Sequence, residues 1–162
     1  MATYGEKLTD QTGLSEFNGQ EDEDLLARLI YSEARGESVE GWQAVGHVVR
    51  NRKVKNTSEF GGGTYSGVIL KPGQFVGMTT AAAREPDTST KEWNDILYIA
   101  LTIDNQTNPI GKALWFWTNT LFDKNSRTTS TGQPQLYFVG KWQDVTYKKV
   151  IGNHTFFLVA GY

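Results

Sequence analysis

Apolar residues recur at helical spacing in the first two thirds of this chain and in short, strand-length runs in the last third. That order restricts the fold more than any other feature. Leu25, Leu26, Leu29 and Ile30 form one helical stripe, Trp42, Val45, Val48 and Val49 a second, and Trp93, Ile96, Leu97, Ala100 and Leu101 a third. Residues 114–117, 136–139, 147–151 and 154–158 read as strands, with Gly152-Asn153 as a two-residue hairpin turn between the last two. Helices followed by strands predict an α+β domain, with helices in the N-terminal half and a small antiparallel sheet in the C-terminal half, rather than alternating βαβ units.

Local signals set the boundaries. Glu21, Asp22, Glu23 and Asp24 crowd the start of a helix over 22–34, where the dipole favours negative charge. Gly36 is the predicted stop, in the left-handed conformation. Ser38 is the predicted N-cap of a second helix over 39–53. Gly41 and Gly46 each cost that helix about 1 kcal/mol relative to Ala, so another backbone is expected to pack closely there. Ser89-x-x-Glu92 has the capping-box pattern for the third helix. Residues 59–67, with Gly61-Gly62-Gly63, and 128–133 are predicted loops. Residues 1–20 are polar and glycine-punctuated and are expected to form a flexible N-terminal arm, leaving 21–162 as one domain with a core of its own.

Composition excludes several function classes. The net charge of −2 argues against binding nucleic acid by bulk electrostatics. The small cluster Arg50, Arg52, Lys53 and Lys55 suits a helix C-terminus instead. No apolar run approaches the roughly 20 residues that cross a bilayer, so no membrane insertion is expected. With no cysteine and two histidines, thiolate catalysis is excluded and a metal site has few ligands; none is expected, nor any cofactor. No nucleophile elbow, phosphate loop or dinucleotide fingerprint is present. The first eight residues lack an apolar signal region, which predicts delivery by another route.

What remains is carboxylate acid–base chemistry, and Glu33 is the best-placed candidate. It lies in Glu33-Ala34-Arg35-Gly36-Glu37, at the junction of two helices that hold it rigidly. Cleavage of a glycosidic bond needs a proton on the leaving oxygen, and burial raises a carboxyl group's pKa toward the range where it supplies one. On spacing alone, a glutamate at a helix end is most often a solvated surface charge. Glu37 and Glu40 read as first-turn acids of the second helix, and Arg35 as an ion-pair partner. The supply of aromatics, five Trp, seven Tyr and eight Phe, favours a saccharide substrate. Trp115 and Trp117 share one face of a strand and Phe116 takes the other. Either one face is core and the other a floor for sugar rings, or all three are core. Trp42 and Trp93 read as core, and His154 as a structural hydrogen-bonder on the hairpin.

The E-A-R-G-E block, followed by Gly41-x-Gln43-Ala44-Val45 and Val48-Val49-Arg50-Asn51-Arg52, resembles the cell-wall hydrolase family of spore cortex-lytic enzymes. Later features keep the same order: Ser66-Gly67-Val68-Ile69, Pro72-Gly73-Gln74-Phe75, Ala113 to Trp117 with Asn119, and Ile151-Gly152-x-His154-x-Phe156. The resemblance implies a lysozyme-like single domain similar to goose-type lysozymes and lytic transglycosylases, acting on peptidoglycan glycan strands as a monomer. It places the general acid on Glu33 and implies a glycan-binding set of Gln74, Phe75, Trp115, Trp117, Asn119 and His154. Val76 stands where the family often has Ser, and Arg50 where it often has an apolar residue. Action on the bacterial wall or spore cortex follows from the resemblance; a germination enzyme and a phage-associated endolysin both fit.

The chemistry so implied is cleavage of the β-1,4 bond between N-acetylmuramic acid and N-acetylglucosamine. Most glycosidases use two carboxylates, and no second one is placed by this sequence. A lytic transglycosylase needs one, because the sugar's own 6-hydroxyl attacks C1 and leaves a 1,6-anhydro end. That route is preferred here over simple muramidase-type hydrolysis. A wall-binding or virion module without activity is the remaining alternative.

Overall fold

The computed structural model describes residues 4–8 and 13–162. The helical half contains α1 (Asp22–Ala34), α2 (Val39–Lys55), the short α3 (Tyr65–Ile69) and α4 (Ala81–Arg84), and α5 (Lys91–Leu101). The sheet half contains β1 (Trp115–Thr118), α6 (Asn119–Lys124), β2 (Ser126–Thr128), β3 (Pro134–Phe138), β4 (Lys141–Ile151) and β5 (His154–Val159). The strands form one antiparallel sheet in the order β1-β5-β4-β3-β2. This is the α+β arrangement expected from the two periodicities.

The stripe on α1 understates its burial. From Asp24 to Tyr31 every residue is buried, because α2, α3, α4 and α5 enclose the helix. Two charged residues are therefore inside, and they satisfy each other. Arg28 Nε donates to Asp24 Oδ2 at 2.7 Å, and its other nitrogens donate to the carbonyls of Ala83, Arg84 and Glu6. Asp24 Oδ1 accepts from the Gly5 backbone N–H. These bonds tie residues 5 and 6 to the central helix. Residues 1–3 and 9–12 of the expected arm lie outside the described residues.

Several boundaries moved for local reasons. Gly36 is not left-handed; the chain leaves α1 through a turn in which Glu37 N–H donates to the Ala34 carbonyl at 2.8 Å. Ser38 caps α2 as expected, accepting from Gly41 N–H. The helix runs to Lys55 and ends on Asn56 at φ +54°. Thr90, not Ser89, caps α5 by accepting from Trp93 N–H, because the Ser89 hydroxyl is committed to Asp87. Part of the expected glycine-rich loop is helical, since Thr64 caps α3. α6 and β2 were not foreseen; their short, polar sequences carry no apolar period.

Side chains, not a backbone, make the close approaches at the glycines of α2. A Cβ on Gly46 would stand 2.8 Å from Ile103 Cδ1, and one on Gly41 would stand 2.9 Å from Glu37 Cβ. The core has two parts. One lies among the helices and reaches Ile151 and Phe156 of the sheet. The other is aromatic, on the opposite side of β1 and β5, and contains Phe60, Trp115, Phe122, Phe138 and Phe157.

Candidate active site

Glu33 sits in the last turn of α1, where the helix reaches the surface. Its Oε1 accepts a hydrogen bond from the backbone N–H of Gly77 at 2.8 Å. The glycine lets the segment come close: a Cβ there would stand 2.5 Å from Ser32 Oγ and 2.8 Å from Glu33 Oε1, so a larger residue would displace those side chains. Burial pushes the Glu33 carboxyl above the ordinary glutamate pKa; the Gly77 N–H and the charge of His154 pull it partway back. A carboxyl poised this way holds its proton to higher pH than a surface glutamate does.

The groove beside it is about 410 Å³ and is lined by Ser32, Glu33, Arg35, Glu37, Asn153 and His154, among others. It joins the α1–α2 connection to the β4–β5 hairpin. Glu37 makes that joint. It is not a first-turn acid of α2 but a receptor for the hairpin tip: Asn153 N–H and Nδ2 donate to its oxygens at 2.9 and 3.1 Å, and His154 Nδ1 lies 3.1 Å from Oε1. Arg35, expected as an ion-pair partner, lies over the Tyr31 ring instead, 5.2 Å from its centroid.

The remaining expected glycan-binding residues fall in different surroundings. His154 is on the groove. Asn119 supports it from behind: its Nδ2 donates to the Gly152 carbonyl, its N–H to the Asn153 carbonyl, and its Oδ1 accepts from Thr155. Gln74 and Phe75 lead into the Gly77 segment. Gln74 Oε1 accepts from Arg52 Nη1 at 3.2 Å, and the Arg52 guanidinium lies 4.7 Å from the Phe75 ring centroid. Trp115 is 9% exposed and packs against Phe60, Phe138, Phe157 and Tyr162. Trp117, half-buried, packs on Phe138 and Phe157. Phe116, on the other face of β1, meets the His154 ring at 5.3 Å. Trp42 and Trp93 are core.

Sequence reasoning missed Gly77 and the role of Glu37. The signal for Glu37 was its place in the same block as Glu33 together with the late Gly-Asn-His run, but only folding puts them in contact. The basic residues near the end of α2 do not form a patch. Arg50 pairs with Asp104, Arg52 is buried, and Lys53 and Lys55 lie over Tyr65 and Tyr162. Among the described residues no cluster of three or more histidines and acids is placed to hold a metal, and no helix is long and apolar enough to cross a membrane.

A helical domain with a small sheet, carrying one poised glutamate at the end of its central helix and beside an open groove, is a lysozyme-like α+β domain. The chain belongs to the cell wall hydrolase family, whose model matches residues 36–157. Glu33 lies three positions before that match begins. A spore cortex-lytic enzyme from Oceanobacillus iheyensis is 33% identical over 127 residues, covering 75% of this chain. The chain spans 40% of that relative's length. Two solved structures are also similar, both with a TM-score of 0.54 and covering 87% of this chain. One is the catalytic domain of the germination-specific lytic transglycosylase SleB from Bacillus anthracis, 27% identical and covered over 98%. The other is the catalytic domain of the Bacillus cereus SleB protein, 28% identical and covered over 94%.

Proposed function

We propose that this chain cleaves the β-1,4 bond between N-acetylmuramic acid and N-acetylglucosamine in peptidoglycan, as a lytic transglycosylase. Glu33 is the single general acid and then general base. The observation that carries this reading is the half-buried Glu33 carboxyl, held by Gly77 N–H at 2.8 Å on a groove. Its other oxygen protonates the leaving O4 while the C1–O4 bond breaks. Glu33, now a carboxylate, takes the proton of the sugar's own 6-hydroxyl as O6 attacks C1, which yields a 1,6-anhydro end and restores the acid. The similarity to the catalytic domain of a germination-specific lytic transglycosylase supports that route over hydrolysis, in which water takes the place of the 6-hydroxyl.

The bacterial wall or spore cortex is the proposed place of action. His154 contacts the glycan directly. Gln74, Phe75 and Asn119 shape the groove by holding the segments that carry Gly77 and His154, and Trp117 and Trp115 hold β1 behind them.

Digestion of purified peptidoglycan followed by mass spectrometry of the fragments tests this. Anhydro-ended fragments, lighter than reducing-ended ones by one water, are the expected product, and Glu33→Gln is expected to release none. Reducing ends alone turn the assignment to a muramidase. Retention on peptidoglycan without release of any fragment turns it to a wall-binding module.

A further inference from the structure

Trp115 and Trp117 face the second core, yet two other large rings stand on the surface. Tyr137 of β3 and Trp142 of β4 lie directly opposite each other across the strand pair, 46% and 38% exposed. Their centroids are 5.5 Å apart and their planes meet at 71°. Leu136 and Phe138, the sequence neighbours of Tyr137, are buried in the aromatic core, so the two rings occupy the other, solvent-facing side of the sheet. Single exposed apolar residues need no explanation. Two rings side by side, with ordered polar neighbours, call for one.

A planar polar network borders the rings. Arg127 of β2 pairs in register with Gln135 of β3, and Gln135 with Asp144 of β4, on the same side of the sheet. Arg127 Nε donates to Gln135 Oε1 at 2.9 Å, and Gln135 Nε2 donates to Asp144 Oδ1 at 2.8 Å. A donor on one side and an acceptor on the other fix the Gln135 amide. The Arg127 guanidinium is thereby held 4.0 Å from the Trp142 ring centroid. Tyr137 Oη donates to the Gly140 carbonyl at 3.2 Å, which steadies the second ring. Among the described residues no carboxylate lies within ion-pair distance of the exposed Arg127, so its charge is offered outward.

This combination suits a chain of pyranose rings. A β-1,4-linked N-acetylhexosamine carries its substituents equatorially and shows axial C–H groups on its faces, which rest on aromatic rings. Hydroxyls and amides at its edge meet planar polar side chains. Tyr and Trp give such contact at low entropic cost. N-acetylmuramic acid also bears carboxylates, on its lactyl group or on an attached peptide, and these complement the unpaired Arg127. We propose that the Tyr137–Trp142 face, with Arg127, is an accessory glycan-binding platform that holds peptidoglycan strands away from the groove. It takes the identity of its ligand from the peptidoglycan reading above and adds a second contact with the wall. Trp142 and the turn at Gly152 stand at opposite ends of β4, roughly 30 Å apart at the rise of an extended strand. The platform therefore lies outside the groove, and it acts by raising the local concentration of polymer at the enzyme.

The test is co-sedimentation with insoluble peptidoglycan and with chitin, a neutral β-1,4 polymer of N-acetylglucosamine, in a Glu33→Gln background so that nothing is cleaved. Trp142→Ala, Tyr137→Ala and Arg127→Gln are compared with that parent, with a melting curve and sedimentation velocity for each. Each alanine variant is expected to weaken binding to both polymers by about 10-fold, the scale of an aromatic anchor. Arg127→Gln is expected to weaken binding to peptidoglycan more than to chitin, because chitin has no carboxylate. Parent-level binding in both alanine variants overturns the proposal. If they lose their fold, Arg127→Gln decides: a folded variant that binds peptidoglycan as the parent does overturns it. A dimer in solution that Trp142→Ala dissolves overturns it in favour of a contact between copies of this chain. A wild type that releases no fragments overturns the glycosidase reading alone, since binding is read without turnover.

Discussion

Gly77 N–H and Glu33 Oε1 meet at 2.8 Å, across 44 residues of sequence, at a point where a Cβ would crowd the Ser32 hydroxyl and the Glu33 carboxyl. The contact holds one carboxyl oxygen and leaves the other free. It depends on the backbone of the Gly77 segment coming closer than a Cβ allows without moving the Ser32 and Glu33 side chains.

Gly77→Ala is therefore expected to push the Glu33 carboxyl and the Ser32 hydroxyl aside. A displacement of about 1 Å in a reacting group costs on the order of 10²-fold in rate. Kinetics should show this loss in kcat, with a melting temperature close to wild type. Unchanged kcat would mean that the Gly77 contact does not set the position of the acid.

The Glu33 carboxyl, raised by burial, also sets a pH dependence of stability. Its folded pKa lies above its unfolded one, so between the two values the native state binds more protons and stability falls as pH rises. The contribution is fully present below the ordinary glutamate range and is lost as pH climbs through the raised value. Glu33→Gln removes the burial cost of the charge while keeping an oxygen for Gly77. That variant is expected to melt at or above the wild-type temperature at neutral pH, with the difference vanishing in acid. A lower melting temperature at neutral pH would show that the charged form is stabilised in place.

Arg52 connects the end of α2 to the segment before Gly77. It is buried between the rings of Phe60 and Phe75, donates to the Leu114 carbonyl at 2.8 Å and to Gln74 Oε1, and burial lowers its pKa to about 10. Arg52→Lys keeps the charge but loses the planar fork and the stacking. The expected cost is roughly 1.5–3 kcal/mol, the scale of a hydrogen bond to a charged group, read from denaturant unfolding. A smaller fall in kcat should accompany it as the Gln74–Phe75 segment loosens.

Val139 offers a gain. It turns the chain between β3 and β4 at φ +52° and is exposed. A β-branched residue in that region is strained by about 1–2 kcal/mol. Val139→Asn is expected to raise stability by about 1 kcal/mol without touching activity, since the turn is at the far end of β4 from the groove. Calorimetry checks it; a lower melting temperature would point to an unrecognised contact of the valine.

The elements that were legible share one property: their signals are local. The bounds of α1, the Ser38 cap, the Gly152-Asn153 turn and the pairing of β4 with β5 follow from apolar period and backbone preference within a few residues. α6 and β2 were not legible because α6 is held by Thr118 and the Asn153 carbonyl, and β2 by pairing with β3. Trp115 and Trp117 were placed correctly on one face. The sequence alone could not say whether that face met a second core or a groove.

By itself the sequence determined an α+β chain and the junction where a rigid glutamate sits, because helical and strand periods are written in neighbouring residues. Tertiary structure alone decided that Glu33 is half-buried against Gly77, that Glu37 meets Asn153 and His154 across more than 100 residues, and that Arg52 is interior. Those facts arise from packing between distant segments, where proximity, burial and the pKa of a carboxyl depend on what the fold places alongside it.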